Sequence, residues 1–233
     1  MTPHVCADGE IVVADVAVIG AGPAGLAAAA CAAERGQRVV VVDRGINVGG
    51  QIWRHVSGGA IPRLAEQWIA RFERSGAKRL GGASVVDAHA TASGFELLVD
   101  ESASAIGIRA QSVILATGAR ELFIPFEGWT LPGVMGIGGA QALLKSGASF
   151  AGKRVVIAGS GPLMLPVAAS MSHAGARVVL VAEQASRASV VRFAAALWKN
   201  PSMLAQAAQY RARFLSSSYA TGTWVAAAHG FDR

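Results

Sequence analysis

The sequence predicts an α/β fold made of two Rossmann-like units in series, and three observations carry that expectation. Residues 16–43 read VAVIGAGPAGLAAAACAAERGQRVVVVD: an apolar run, a glycine-rich turn, an alanine-rich helix and a second apolar run ending on an acid. An altered copy follows from Val155, VVIAGSGPLMLPVAASMSHAGARVVLVAE. Between the two copies, short apolar segments bounded by Gly, Ser and Asp read as a small antiparallel meander.

In the first copy Gly20, Gly22 and Gly25 stand in GxGxxG spacing. Gly20 permits the tight turn out of the first strand, Gly22 lets a pyrophosphate approach the backbone, and Gly25 lets the helix pack closely on the strand. Pro23 suits the first helical turn, where its missing N–H costs nothing. The start of that helix then offers amide N–H groups and positive dipole charge to a phosphate. Asp43 ends the second strand, where a carboxylate accepts hydrogen bonds from an adenosine ribose. A GxGxxG alone is a weak signal. With a strand before it, a helix after it and the acid in place, it reads as dinucleotide binding.

The remaining elements follow in order. Strands are expected at Ile11–Ile19 and Arg38–Asp43, flanking a helix at Pro23–Arg35. A glycine-rich loop, RGINVGGQIWRHVSGG, precedes an amphipathic helix in which Leu64, Trp68 and Phe72 recur at helical spacing as core contacts. Ala83–Ala90, Phe95–Val99 and Ile106–Arg109 read as the meander, and Ser112–Thr117 as a buried strand returning into an ATG turn. Residues 125–150, punctuated by Pro125, Pro132, Gly133 and Gly136, read as a crossing between domains with a helix at Gly139–Ser146. After the second copy, Phe193–Phe214 reads as a basic helical stretch and Gly222–His229 as one further strand.

Composition excludes several classes. Apolar residues make up 52% of 233, and Val16–Ala33 and Val155–Ala176 are uncharged enough to imitate membrane spans. Each contains a GxGP break and splits into a buried strand plus a helix, so no transmembrane segment is expected. The N-terminus lacks the basic stretch and apolar core of a signal peptide, and a cytoplasmic location is the expectation. The net charge of +6 comes from scattered bases without aromatic interleaving, which argues against nucleic acid and leaves a general attraction for anionic cofactors and substrates. Cys6 and Cys31 form no disulfide framework or metal spacing, and Cys31 reads as a small buried core residue.

The second copy keeps Gly159 and Gly161, but Met164 occupies the position of Gly25 and Pro166 adds a distortion in the first helical turns. Ala182 matches Asp43. Glu183 comes one residue late and would point the other way if the strand were regular. NAD(P), another adenine nucleotide, and a structural vestige all remain open there.

Taken together, VIGAGPAGLAAA, VVVVDR, GGQIWR, ILATGARE, GWTLPGVMGIGGAQALLKSG, GKRVVIAGSGPLMLPVA and AEQASR resemble the pyridine nucleotide-disulfide oxidoreductase superfamily from about Val13 to Gly222. Within it they are most similar to the FAD-containing subunits of opine oxidases, hydroxyproline dehydrogenases and hydrogen cyanide synthase. The resemblance implies a three-layer FAD/NAD(P)-binding Rossmann-like domain over residues 1–124, the crossing at 125–150, and a second, partial Rossmann-like domain at 151–233. It implies a flavoprotein that passes a hydride from the C–N bond of an amine or amino-acid-like substrate to FAD, with electrons leaving to a partner subunit or an external acceptor. By matching motif, Gly20, Gly22, Pro23, Ala24 and Gly25 would hold the FAD pyrophosphate, and Asp43 and Arg44 the adenosine side. Gly49, Gly50 and Gln51 would lie along the ribityl and flavin side, and Thr117 and Gly118 would close over the cofactor. Gly159, Gly161 and Glu183 would hold any second nucleotide.

Two departures narrow this reading. The GGQIWRHVSGG loop and the GSGP region contain no cysteine, so no thiolate can accept electrons from a flavin, and disulfide reductase chemistry is excluded. His55 is the one histidine near the flavin loop. The chain also ends before the return that completes the FAD domain in the family, which predicts an exposed sheet edge and a flavin ring left partly uncovered. The alternatives are therefore a truncated nucleotide-binding module without independent turnover and an NAD(P)H-dependent flavin reductase.

Overall fold

The computed structural model describes residues 11–54, 61–101 and 104–230. They form two compact units, Met1–Arg120 and Glu121–Arg233.

The first unit is a six-stranded sheet with helices on one face. Its elements are β1 (Ile11–Ile19), α1 (Pro23–Ala33), β2 (Val39–Asp43), α2 (Arg63–Arg74), β3 (Lys78–Gly81), β4 (Ala83–Thr91), β5 (Gly94–Glu101) and β6 (Ser104–Leu115), in the spatial order β3-β2-β1-β6-β5-β4. The strands β3, β2, β1 and β6 run parallel, while β4, β5 and β6 form the antiparallel meander. The four valines of β2 show why the sheet is buried on both sides. Val39 and Val41 enter the core beneath the helices with Val18, Leu26, Ala29, Trp53 and Phe72, while Val40 and Val42 enter the opposite core with Leu97, Val99, Ile106 and Ile108. The meander thus supplies a third layer.

Several local expectations are corrected. The third meander strand and the returning strand are one element, because β6 pairs with β5 through its first half and with β1 as far as Ile19↔Leu115. Its end is not buried: Leu115 is 77% exposed. The edge strand β3 was not anticipated, since KRLG buries only Leu80 and carries two exposed bases. On α2 the buried stripe is Ala65, Trp68, Ile69 and Phe72, one position round from expectation, and Leu64 is exposed. Cys31 is half-buried, with the Arg71 guanidinium 3.7 Å from its sulfur. That Arg71 also donates to both carboxylate oxygens of Glu34, at 2.7 and 2.6 Å, and clips α2 to the end of α1.

The second unit contains α3 (Ile137–Lys145), β7 (Arg154–Gly159), α4 (Met164–His173), β8 (Arg177–Glu183), α5 (Arg187–Ala196), a 3₁₀ turn (Leu197–Lys199), α6 (Pro201–Ala212) and β9 (Ser218–Thr221). Its parallel sheet has the order β7-β8-β9. The core joins Ile157, Val178 and Val181 to Met164, Val167, Ala168 and Met171 of α4, with Ile137, Ala140 and Leu144 of α3 against it. The last strand lies earlier than Gly222–His229. The buried Ser217 hydroxyl donates to the Val178 carbonyl at 2.5 Å and anchors the entry to β9, and Gly222, at φ +65°, turns the chain out of the sheet. Beyond it Ala227 makes only an isolated bridge to Glu127. Among the described residues no helix is long and apolar enough to cross a membrane, and each stretch that imitated a span is a strand, a break and a helix.

Asp15 of β1 ties down the start of β2. It accepts from the Arg38 amide at 2.8 Å and from the Arg38 guanidinium at 2.7 Å. These bonds to Arg38 hold its carboxyl down at about 2. A group whose pKa is depressed by folding stabilises the fold above its unfolded value and loses that contribution as pH falls through its folded value. The Asp15 carboxyl, followed by NMR, is expected to titrate near pH 2. The stability difference between the parent and Asp15→Asn should shrink as pH falls from about 4 to about 2; titration at an ordinary aspartate value would contradict this pairing.

Candidate functional site

The turn leaving β1 is compressed from three sides. The Gly20 amide donates to the Val42 carbonyl at 2.8 Å, and the Ala116 amide donates to the Ile19 carbonyl at 2.8 Å. Gly20 has φ +108°, and a Cβ there would stand 2.4 Å from the Ala116 carbonyl oxygen. A Cβ on Gly25 would stand 1.8 Å from the Gly20 carbonyl oxygen. Only glycine fits at either position. Gly22, the N-cap of α1, differs: nothing lies within 4 Å of where its Cβ would be. Pro23 opens the helix, Ala24 is exposed beside it, and the first amides of α1 have no acceptor within the helix.

Asp43 closes the site from β2. One carboxylate oxygen accepts from the Ala21 amide and the other from the Gly45 amide, both at 2.6 Å. The side chain bridges the loops after β1 and β2, and each oxygen keeps a further lone pair. Arg44 is exposed next to it. The glycine-rich loop then folds back: the Gly49 amide donates to the Ala21 carbonyl at 2.8 Å, and a Cβ on Gly50 would stand 3.0 Å from the Gly22 Cα. Gly49 and Gly50 both have positive φ. Trp53, 9% exposed, pins this loop into the core beneath the helices. Sequence reasoning passed over that anchor, although an aromatic residue inside a glycine-rich loop was a visible signal. Gln51 is exposed on the same loop. At the end of β6, the Thr117 Cα lies 3.3 Å from the Cβ position of Gly20, and Gly118, at φ +72°, turns away. Gly20, Gly22, Pro23, Gly25, Asp43, Gly49, Gly50 and Thr117 therefore converge, with Ala24, Arg44, Gln51 and Gly118 on the rim. His55 lies outside the described residues.

The second copy makes a related turn by other means. The register of β7 and β8 slips between Val155↔Val178 and Val156↔Leu180, so one extra residue sits in β8 and Gly159 pairs with Glu183. This bulge removes the regularity that would have turned Glu183 away. Its buried carboxylate accepts from the Gly161 amide at 3.1 Å and the Ala185 amide at 2.8 Å, the counterpart of Asp43. Burial first, and then the neighbouring Glu183 charge, push the pKa of the Tyr219 hydroxyl above its ordinary value. The positive φ has moved from the first glycine to Gly161. The helix begins two positions later than α1, at Met164. Pro166 cannot donate to the Pro162 carbonyl, which instead accepts from Leu165 at 3.2 Å, so the first turn is 3₁₀-like. Met164 fills the core, and Leu163, 74% exposed, occupies the place of Ala24.

Gly25→Ala drives a methyl group into backbone and is expected to cost about 3 kcal/mol or more. Gly139→Ala, on the exposed side of α3 with nothing within 4 Å, should leave stability unchanged or raise it by up to ~1 kcal/mol. Denaturant midpoints check both; equal midpoints would contradict the packing described for Gly25.

The family model for pyridine nucleotide-disulphide oxidoreductases matches residues 14–198. An opine oxidase subunit of Rhizobium meliloti (strain 1021) is 35% identical over 183 residues, covering 76% of this chain and 40% of that protein. Hydrogen cyanide synthase subunit HcnB of Pseudomonas protegens is 33% identical over 198 residues, covering 80% of this chain and 42% of that protein. The chain thus spans about two fifths of the length of these curated relatives. Among solved structures, L-proline dehydrogenase from P. horikoshii aligns with TM-score 0.62 and 26% identity over 72% of this chain and 35% of that one. T. acidophilum thioredoxin reductase shares the fold, with TM-score 0.63 and 22% identity over 94% of this chain and 67% of that one. Because the match runs through the fingerprint, the meander and the second copy, the chain belongs to the pyridine nucleotide-disulphide oxidoreductase family, a family of FAD-dependent oxidoreductases.

Proposed function

We propose that the first unit binds FAD as the nucleotide-binding part of an amine or amino-acid dehydrogenase subunit of the opine oxidase type. Gly22 is the observation that carries this. Gly20 and Gly25 are demanded by the protein's own packing, whereas at Gly22 the protein leaves open space where a side chain would fit. The approach of a ligand accounts for that third glycine. The pyrophosphate would lie over Gly22 and the first turn of α1, where unpaired amides and helix dipole favour an anion. Asp43 and Arg44 would take the adenosine side. Gly49, Gly50 and Gln51 would flank the ribityl and flavin side, with Thr117 and Gly118 closing from β6.

FAD would supply a two-electron acceptor: a hydride leaves the carbon bearing nitrogen, and the substrate becomes an imine with loss of one proton. The chain's own part is to bind and orient. Asp43 locks two loops together, and Trp53 holds the glycine-rich loop against the fingerprint turn, so the cradle is formed before the cofactor arrives. That the relatives bear the names of enzyme subunits supports electron exit to a partner subunit.

We read the second loop as a structural copy. Its late helix start and its 3₁₀-like first turn disfavour a dinucleotide there, and with it an NAD(P)H-dependent flavin reductase.

After incubation with FAD and desalting, the parent is expected to retain about one flavin per chain by visible absorption, from the stoichiometry of a single fingerprint. Gly22→Val should retain less than about a tenth of that with an unchanged circular dichroism spectrum. Equal flavin content in both proteins would sink the assignment.

A further inference from the structure

The helical segment after β8 is unlike the rest of the second unit. Neither α5 nor α6 has a buried residue, and α5 is held chiefly by the 3₁₀ turn that follows it, while α6 leans on α4. A ten-residue helix without tertiary packing is marginal in water. The segment nevertheless carries large apolar side chains outward: on α5 Val191 is 60% exposed and Phe193 49%, on the 3₁₀ turn Trp198 71%, and on α6 Met203 51%. Arg187, Arg192 and Lys199 are exposed among them. No Asp or Glu occurs between Glu183 and Asp232, and among the described residues no carboxylate pairs with these three bases. Lys199 instead sits over the Trp198 ring at 5.7 Å.

We propose that the arm formed by α5, the 3₁₀ turn and α6 docks into an acid-rimmed, apolar-floored groove of a second polypeptide. This rests on the reading that the chain works beside a partner subunit. Aromatic residues, Met and Arg are the types enriched at protein interfaces, and a cationic rim without internal acids calls for an acidic partner. Geometry separates this occupant from two others. At 100° per residue, Val191 and Phe193 stand about 200° apart on α5 with Arg192 between them. A concave protein surface can grip a helix on both flanks, whereas an interfacial membrane helix gathers its apolar residues on one face and its bases on the other. A second copy of this chain would bring a basic arm against a basic arm across a two-fold interface.

The test incorporates p-benzoylphenylalanine at Trp198 in the producing cell, irradiates, and identifies what is captured. The captured polypeptide is then purified and titrated against the chain. A heterologous polypeptide crosslinked through an acidic segment is expected, with its binding weakened at least tenfold by Arg192→Glu with Lys199→Glu, and less than twofold by Arg74→Glu on α2. Flavin content and circular dichroism of each variant establish that it is folded. Crosslinking only to another copy, binding indifferent to the charge reversals, or no crosslink at all would overturn the proposal. So would binding of the purified chain to phosphatidylglycerol vesicles, lost on the same reversals, with no protein captured. The native mass of the chain as isolated distinguishes the two levels. A larger complex without a crosslink at position 198 rejects only this surface, while a mass of one chain also rejects the partner subunit.

Discussion

The first unit depends on the contact between α1 and the turn that leaves β1. At Gly25 the helix comes so near the Gly20 carbonyl that no side chain can stand between them. That closeness aims the start of α1 at the opening of the loop. It also leaves the Ala21 amide facing the end of β2, where Asp43 meets it and reaches on to Gly45. The Ala21 carbonyl in turn accepts from Gly49 and brings in the glycine-rich loop. The two bonds to the Asp43 carboxylate are charge-assisted and contribute about 1.5–3 kcal/mol each, and the neutral Gly49 bond about 1 kcal/mol. The cradle is thus a product of packing, and of its three fingerprint glycines only Gly22 is not demanded by the protein's own contacts.

The second copy shows what happens when that contact is lost. With Met164 in place of Gly25, the helix cannot close on the strand; its side chain turns into the core and α4 starts late. An acid is still needed to satisfy the loop amides. Glu183 supplies it through a longer side chain and a one-residue bulge in β8. Both loops are therefore tied by a carboxylate, but the helix opens directly after the glycine turn in the first unit and two positions later in the second, where Glu183 supplies the tie. The outward helical arm follows directly after that carboxylate.

Much of this was legible in the sequence, and what was not has identifiable physical causes. The valines of β2, the glycine spacing and Asp43 each answer to local rules, and the structure brings them together as those rules imply. The placement of Glu183 turned on whether its strand was regular, and the sequence could not decide this, because a bulge leaves no mark in one strand's residues. KRLG hid β3 because an edge strand paired on one side can keep its bases in water. Leu64 lost its place to Ala65 because an alanine fits where two helices lie close, a packing choice that hydrophobic spacing does not resolve. The outward arm looked like an ordinary basic helix, since composition does not report that among the described residues neither of its helices has a buried residue.

Entry of FAD at the fingerprint turn of the first unit can be followed by amide hydrogen exchange with and without FAD. Added protection is expected over residues 20–26 and 44–51, with residues 159–165 unchanged. Protection confined to the second loop, or none anywhere at saturating FAD, would contradict it.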